Sequence, residues 1–237
     1  MTVQHSANSP HVSRERPLNR DVILDGAFAL IGDGGPGALS MRRLGSRLGV
    51  EGMAIYHHFA GRDDLLTAMG DRLLEPLEGL ELGNDWREAC WRFATALRDL
   101  VLAQPAAYQL LGLQPFDTPS SLRPVERLLT VLVEQGFSPG NALAIYRATV
   151  SYARGYALAE ATGFTVDAAR PGGRRRLAAL RRSGFPILAG RAKELAELDA
   201  DAAYEFGLRA LLAGFPDPAA AGPIARRDGR SRSRRRR

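Results

Sequence analysis

The sequence predicts an all-α protein: a small N-terminal helical head followed by a larger helical bundle. Three observations carry that expectation. Apolar residues recur at helical spacing nearly everywhere, and no stretch alternates convincingly as a strand would. The breaks between apolar runs are mostly short and contain Gly, Pro, Ser or Asn. Gly45 and Gly49 fall between two short apolar periods, where two steeply crossed helices need small and turn-tolerant residues.

In chain order, Asn19 can cap a first helix that carries Asp21 in its opening turn and Ile23, Ala27 and Leu30 on one face. The run GDGGPG at 32–37 ends it. Ser40 offers an oxygen to a second helix with Leu44 and Leu48 on one side, and Gly49 suits its left-handed end. A short third helix follows over about 51–58. A longer one opens near Gly61, where Asp63 and Asp64 favour the positive helix start, and its apolar face lasts to about Leu80. Beyond Asn84 the expected helices are 85–103, 106–113, 122–135, 139–162 and 187–214, with 163–186 as a long break. The domain expectation is a disordered tail over 1–17, a small helical head over 18–62, a larger helical bundle over 63–215, and a disordered tail over 216–237.

The 237 residues suffice for a sizeable core, and no run of 18 apolar residues is present to span a bilayer. The first twenty residues are polar and lack the apolar centre of a secretion signal, so the expected location is cytoplasmic. Cys90, the only cysteine, excludes an internal disulfide and reads as a packing residue beside Trp91.

The formal net charge of +6 is unevenly placed. Residues 226–237 hold eight arginines against Asp228, which leaves the rest of the chain near neutrality. That tail reads either as a solvated terminus or as a non-specific phosphate tether. A second cluster over 170–193 has eight positive and no negative residues, and reads as a loop rather than a binding face.

The stretch SMRRLGSRLGVEGMAIYHHF, residues 40–59, is the most informative. Gly45 allows two helix backbones to approach, Gly49 turns the chain, and Leu44, Leu48, Val50 and Ile55 supply a small core between them. Together at this spacing they indicate a helix-turn-helix, whose second helix enters the major groove of DNA. Its outer face holds Gly52, Met53, Tyr56 and His57, with His58 and Arg62 just beyond. Arg42 can reach a guanine through its planar fork of donors, Tyr56 can contact phosphate, and Met53 or Ala54 can pack on a thymine methyl. His57 and His58 are adjacent and diverge on a helix, so they do not form a metal pair.

The segment LNRDVILDGAFALIGDGGPGALSMRRLGSRLGVEGMAIYHHFAGRDDLLTAM resembles the N-terminal domain of the TetR family of repressors. Trp86, EQGFSPGNAL at 134–143 and FGLRALLAGF at 206–215 resemble the tetracycline-repressor-type C-terminal domain. The resemblance runs from Leu18 to Phe215. It implies a homodimer that binds a palindromic double-stranded DNA operator and leaves it when a small molecule enters the bundle. By position, it also implies DNA contacts at Arg42, Gly52, Met53, Ala54, Tyr56, His57, His58 and Arg62. Gly52, Met53 and Ala54 depart from the polar-Pro-Thr pattern of the tetracycline repressor itself, so the docking carries over and the operator sequence does not.

The tetracycline repressor takes a magnesium chelate through a histidine in its bundle. Here the four histidines stand at 5, 11, 57 and 58, none in the bundle. No metal or cofactor is therefore expected, and the effector should be largely apolar, against Trp91, Phe93, Leu97, Tyr108 and Leu111. One short recognition helix reads only a few base pairs, so two symmetric heads are needed, about 34–36 Å apart. The expected dimer interface joins the helices over 141–162 and 191–214, where Ala144, Ala148, Gly155, Ala159, Ala203, Gly207 and Ala210 let helices approach.

Two other classes compete with this reading. An enzyme is disfavoured because no nucleophile–base spacing or Gly-rich phosphate loop stands out. A DNA-packaging protein acting through the arginine tail would lose binding when 226–237 are removed.

Overall fold

The computed structural model of the chain describes residues 17–112, 117–162 and 172–222, and every regular element among them is helical. The arginine-rich tail over 226–237, the N-terminal stretch before Pro17, and Arg170 lie outside the described residues. Two compact units meet in the sequence after Leu65.

The first unit contains α1 (Arg20–Gly34), α2 (Met41–Leu48) and α3 (Gly52–Tyr56), and it ends in the first turn of α4 (Arg62–Leu74). Asn19 Oδ1 accepts from the Val22 amide at 2.9 Å, and Ser40 Oγ from the Arg43 amide at 3.2 Å, so both expected caps form. Ile23, Ala27, Ile31, Leu44, Ile55 and Phe59 are buried together as its core. Only five residues of α3 are helical rather than the eight expected. Its C-cap His57 turns the chain at φ −72°, and the His58 and Phe59 amides close on the Ile55 carbonyl.

The second unit continues α4 and adds α5 (Trp86–Ala103), α6 (Pro105–Leu111), α7 (Pro119–Glu134), α8 (Pro139–Ala161), α9 (Gly173–Arg181), α10 (Pro186–Gly190), α11 (Ala192–Ala196) and α12 (Ala200–Ala213). Asp85, Thr118 and Ser138 cap α5, α7 and α8 through their side chains, and Pro at the first turn of α6, α7 and α8 costs no helical hydrogen bond. The long helices α5 and α8 form the most extensive pairing, with α7 and α12 against α8. Trp86 meets the Phe137 ring edge-on at 5.0 Å and the Phe215 ring at 6.4 Å, tying α5 to the turn before α8 and to the end of α12. Cys90 is fully buried, and burial pushes its thiol up to about 12, in keeping with a packing role.

Two sequence expectations change here. The arginine cluster after residue 170 is not simply a loop, because Arg174, Arg175, Arg176 and Arg181 lie on α9. The final helix is not continuous over 187–214. Arg191 separates α10 from α11, and Asp199, in extended conformation, accepts from the Asp201 and Ala202 amides at 2.8 and 3.0 Å to start α12 afresh. A polar cap satisfies orphan donors that a continued helix would bond internally, so Asp199 acts as a start signal inside an apolar period.

Candidate nucleic-acid interface and bundle cavity

The crossing of α2 and α3 is fixed by two glycines. A Cβ on Gly45 would stand 2.8 Å from the Val50 carbonyl oxygen and 3.0 Å from the Gly52 nitrogen, both backbone atoms. No larger residue leaves the two helices at this separation. Gly49 has φ 69° and ψ 23°, the left-handed conformation that ends α2 and sends the chain back toward α3. The Val50 amide then donates to the Gly45 carbonyl at 2.9 Å, closing the turn.

This arrangement turns one side of α3 inward and leaves the other in solvent. Ile55 is fully buried, while Met53 is 68% and Tyr56 45% exposed. His57, Arg42 and Arg62 are exposed, whereas Gly52, Ala54 and His58 are half-buried. The Arg20 guanidinium donates to the His58 carbonyl, lies 4.0 Å from the centre of the Phe59 ring and stands 3.7 Å from Asp64. Arg20 therefore anchors the chain just past α3 without contacting its outer face, a role that its place beside Asp21 did not suggest. Asp64 Oδ2 accepts from the Ala60 amide at 2.9 Å, which fixes the entry to α4.

Within the second unit, a small cavity of about 50 Å³, opening in part to solvent, lies among α4, α5, α6, α7 and α8. Leu74, Leu77, Phe93, Leu97, Val125 and Val150 form most of its wall. Tyr108, Tyr146, Ser121 and Arg154 add polar groups to that wall.

Of the residues named from sequence for an effector, Phe93, Leu97 and Tyr108 lie together on this wall. Trp91 and Leu111 do not join them. Trp91 lies along a surface groove with Arg209, whose guanidinium is 5.6 Å from its ring centre, and Leu111 is buried elsewhere in the packing. Tyr146, Val150 and Arg154 went unrecognised from sequence, although their four-residue spacing on α8 puts them on one helical face.

The small residues proposed for a dimer interface divide by exposure. Gly155 and Ala210 are exposed, and Ala144, Ala148, Ala159 and Ala203 are half-buried. Gly207 serves a contact inside the chain, since a Cβ there would fall 2.2 Å from the Tyr152 hydroxyl oxygen. Tyr152 donates to the Tyr204 carbonyl at 2.8 Å, so Gly207 makes room for a bond between α8 and α12.

Comparison with known proteins matches the chain in two parts. Residues 23–69 match the model for bacterial regulatory proteins of the tetR family, and residues 79–217 match the tetracyclin repressor-like C-terminal domain. An HTH-type transcriptional regulator from Saccharopolyspora erythraea is 32% identical over 183 residues, 75% of this chain and 77% of the relative. A solved chain from Streptomyces coelicolor A3(2), described as a possible TetR family transcriptional regulator, superposes with a TM-score of 0.69 at 32% identity. That match covers 83% of this chain and 98% of the other. ActR, a TetR family protein of Streptomyces coelicolor solved in complex with actinorhodin, gives 0.67 at 25% identity over 84% of this chain and 97% of its own. With a glycine-crossed pair of helices in the head and a matched helical domain behind it, this chain belongs to the TetR family of DNA-binding transcriptional regulators.

Proposed function

We propose that the chain is a repressor that binds a palindromic operator as a homodimer and is released when a small molecule enters the bundle cavity. The observation that carries this reading is the outer face of α3, where Met53, Tyr56 and His57 stand in solvent, as Arg42 does on α2, while Ile55 and Phe59 anchor the helix from behind. Side chains exposed on a short helix held this firmly suit base and phosphate contacts. Gly52, Ala54, His58 and Arg62 complete the proposed contact set.

Dimerisation draws support from α12. Phe206 is 78% exposed, and Ala202 and Ala210, one turn to either side, are exposed with it. A stripe of this kind is suited to burial against its own symmetry copy, together with the small residues of α8. Release draws support from α4, which begins in the head and ends with Leu74 in the cavity wall. A ligand pressing on Leu74 would act on the helix that starts at Arg62, and typical coupling lowers operator affinity roughly 5- to 150-fold. Because ActR is solved with actinorhodin, we assign the cavity to an effector of small-molecule size.

The test is a titration of the full chain against a fluorescent duplex carrying its preferred sequence. Arg42→Ala is expected to cost about 1–3 kcal/mol of binding at constant salt while leaving the melting temperature unchanged. Affinity equal to that of the unaltered chain would remove Arg42 from the interface. Loss of sequence preference on deleting residues 226–237 alone would favour the arginine tail as the binding element instead.

A further inference from the structure

The polar groups of the bundle cavity lie on three of its helices: Tyr108 on α6, Ser121 on α7, and Tyr146 and Arg154 on α8. Arg154 projects from α8, and its guanidinium donates to the Gly112 carbonyl at the end of α6. Among the described residues no carboxylate lies within ion-pair distance of it, so its charge is met only by a neutral acceptor. Tyr108 is 2% exposed, and its hydroxyl, also buried, has no hydrogen-bond partner among the described residues. Burial raises the pKa of Tyr108 and of Tyr146, and in both cases the positive charge of Arg154 acts in the opposite sense, which places all three groups in one neighbourhood. Apart from Ser121, whose hydroxyl donates to the Thr118 carbonyl at 3.1 Å, the rest of the wall is aliphatic or aromatic.

A half-buried cation without a counter-charge and a buried hydroxyl without a partner are both costly in an apolar enclosure, and an anion bound between them would satisfy both. We propose that the cavity selects an aromatic acid, with its carboxylate, sulfonate or phenolate against Arg154 and the Tyr108 hydroxyl and its ring system against Leu74, Leu77, Phe93 and Leu97. This rests on the cavity being the effector site, and it adds an anionic group to the largely apolar effector expected from the sequence. Arg154 is then the residue that sets specificity by charge, and the apolar wall sets it by shape.

The probes are anilinonaphthalene sulfonate and its uncharged counterpart phenylnaphthylamine, both of which brighten on entering an apolar site. Each is titrated into the full-length protein. Arg154→Met is expected to weaken the sulfonate roughly 10- to 100-fold, the range of a charge-assisted hydrogen bond, and to leave the neutral probe within about threefold. Arg154→Lys should keep most of the sulfonate affinity. Tyr108→Phe should weaken the sulfonate roughly 3- to 10-fold with no change for the neutral probe, and this second variant leaves the Gly112 contact intact.

Val150→Trp, which fills the cavity, locates the probes. If it displaces both but Arg154→Met and Tyr108→Phe treat the two probes alike, the cavity stands and the selection for an anion is overturned. If Val150→Trp leaves both probes bound at their original affinity, the cavity takes no ligand, and both the effector site and its anion preference are overturned.

Discussion

Arg98→Met is expected to cost about 3–5 kcal/mol of stability, the amount typical of removing one partner from a buried ion pair. Arg98 is 6% and Glu160 4% exposed, and the guanidinium reaches one oxygen of Glu160 through two donors, at 2.8 and 3.2 Å. It also lies 4.6 Å from the centre of the Tyr204 ring, whose own face is stacked on Tyr152 at 5.4 Å. One side chain thereby connects α5, α8 and α12. The further bond from Arg98 to Asp201, at 2.6 Å, contributes less, because the Asp201 side chain is 78% exposed and water screens it. Asp201→Asn should therefore cost less than about 1 kcal/mol. The double replacement Arg98→Met with Glu160→Met should recover much of the loss, since a buried pair replaced by apolar groups of like volume is often neutral. Chemical denaturation of the four proteins checks this. Arg98→Met within about 1 kcal/mol of the unaltered chain, or a double variant no more stable than Arg98→Met, would contradict it.

Gly45→Ala is expected to destabilise the head by about 1–3 kcal/mol, the usual cost of forcing an extra carbon into a filled space. Its methyl would meet the Val50 carbonyl and the Gly52 nitrogen, which no rotamer change can move. Relief requires α3 to shift from α2, and the outer face of α3 shifts with it. Operator affinity should fall more than stability alone predicts, because a dimer presents two displaced heads. Ser46→Ala, one residue on and exposed, should leave both quantities unchanged. Hydrogen exchange localises the effect: amides of residues 41–59 should lose protection while those of α5 and α8 keep theirs. Unchanged head protection together with unchanged DNA affinity would contradict the tight crossing.

The head was the most legible part of the sequence because its determinants are local. Asn19 and Ser40 bond amides three residues on, and Gly45 and Gly49 act within a single turn, so spacing alone reveals them. In the bundle, the three stretches that suggested its family contain Trp86, Phe137 and Phe215, and these rings meet in one cluster. The cavity was less legible, since its wall is assembled from helices far apart in the chain. Phe93 and Leu97 share a helical face, whereas Trp91, two residues before Phe93, points to another side. The segmentation over 186–213 was hidden because apolar residues keep recurring across Asp199, and only the acceptor role of that side chain marks the break. Arg98 and Glu160 could have been noticed as charges in phase with buried neighbours, Ala94, Leu97 and Val101 on α5 and Ala153 and Ala157 on α8.

Recovery of bound duplexes from a random pool by the full-length protein tests the central claim most directly. The account predicts enrichment of an inverted repeat whose half-sites are centred about one helical turn apart, roughly 34–36 Å, with one protein dimer per duplex. A pool that stays random at moderate salt, or a single unrepeated half-site bound by one chain, would contradict it.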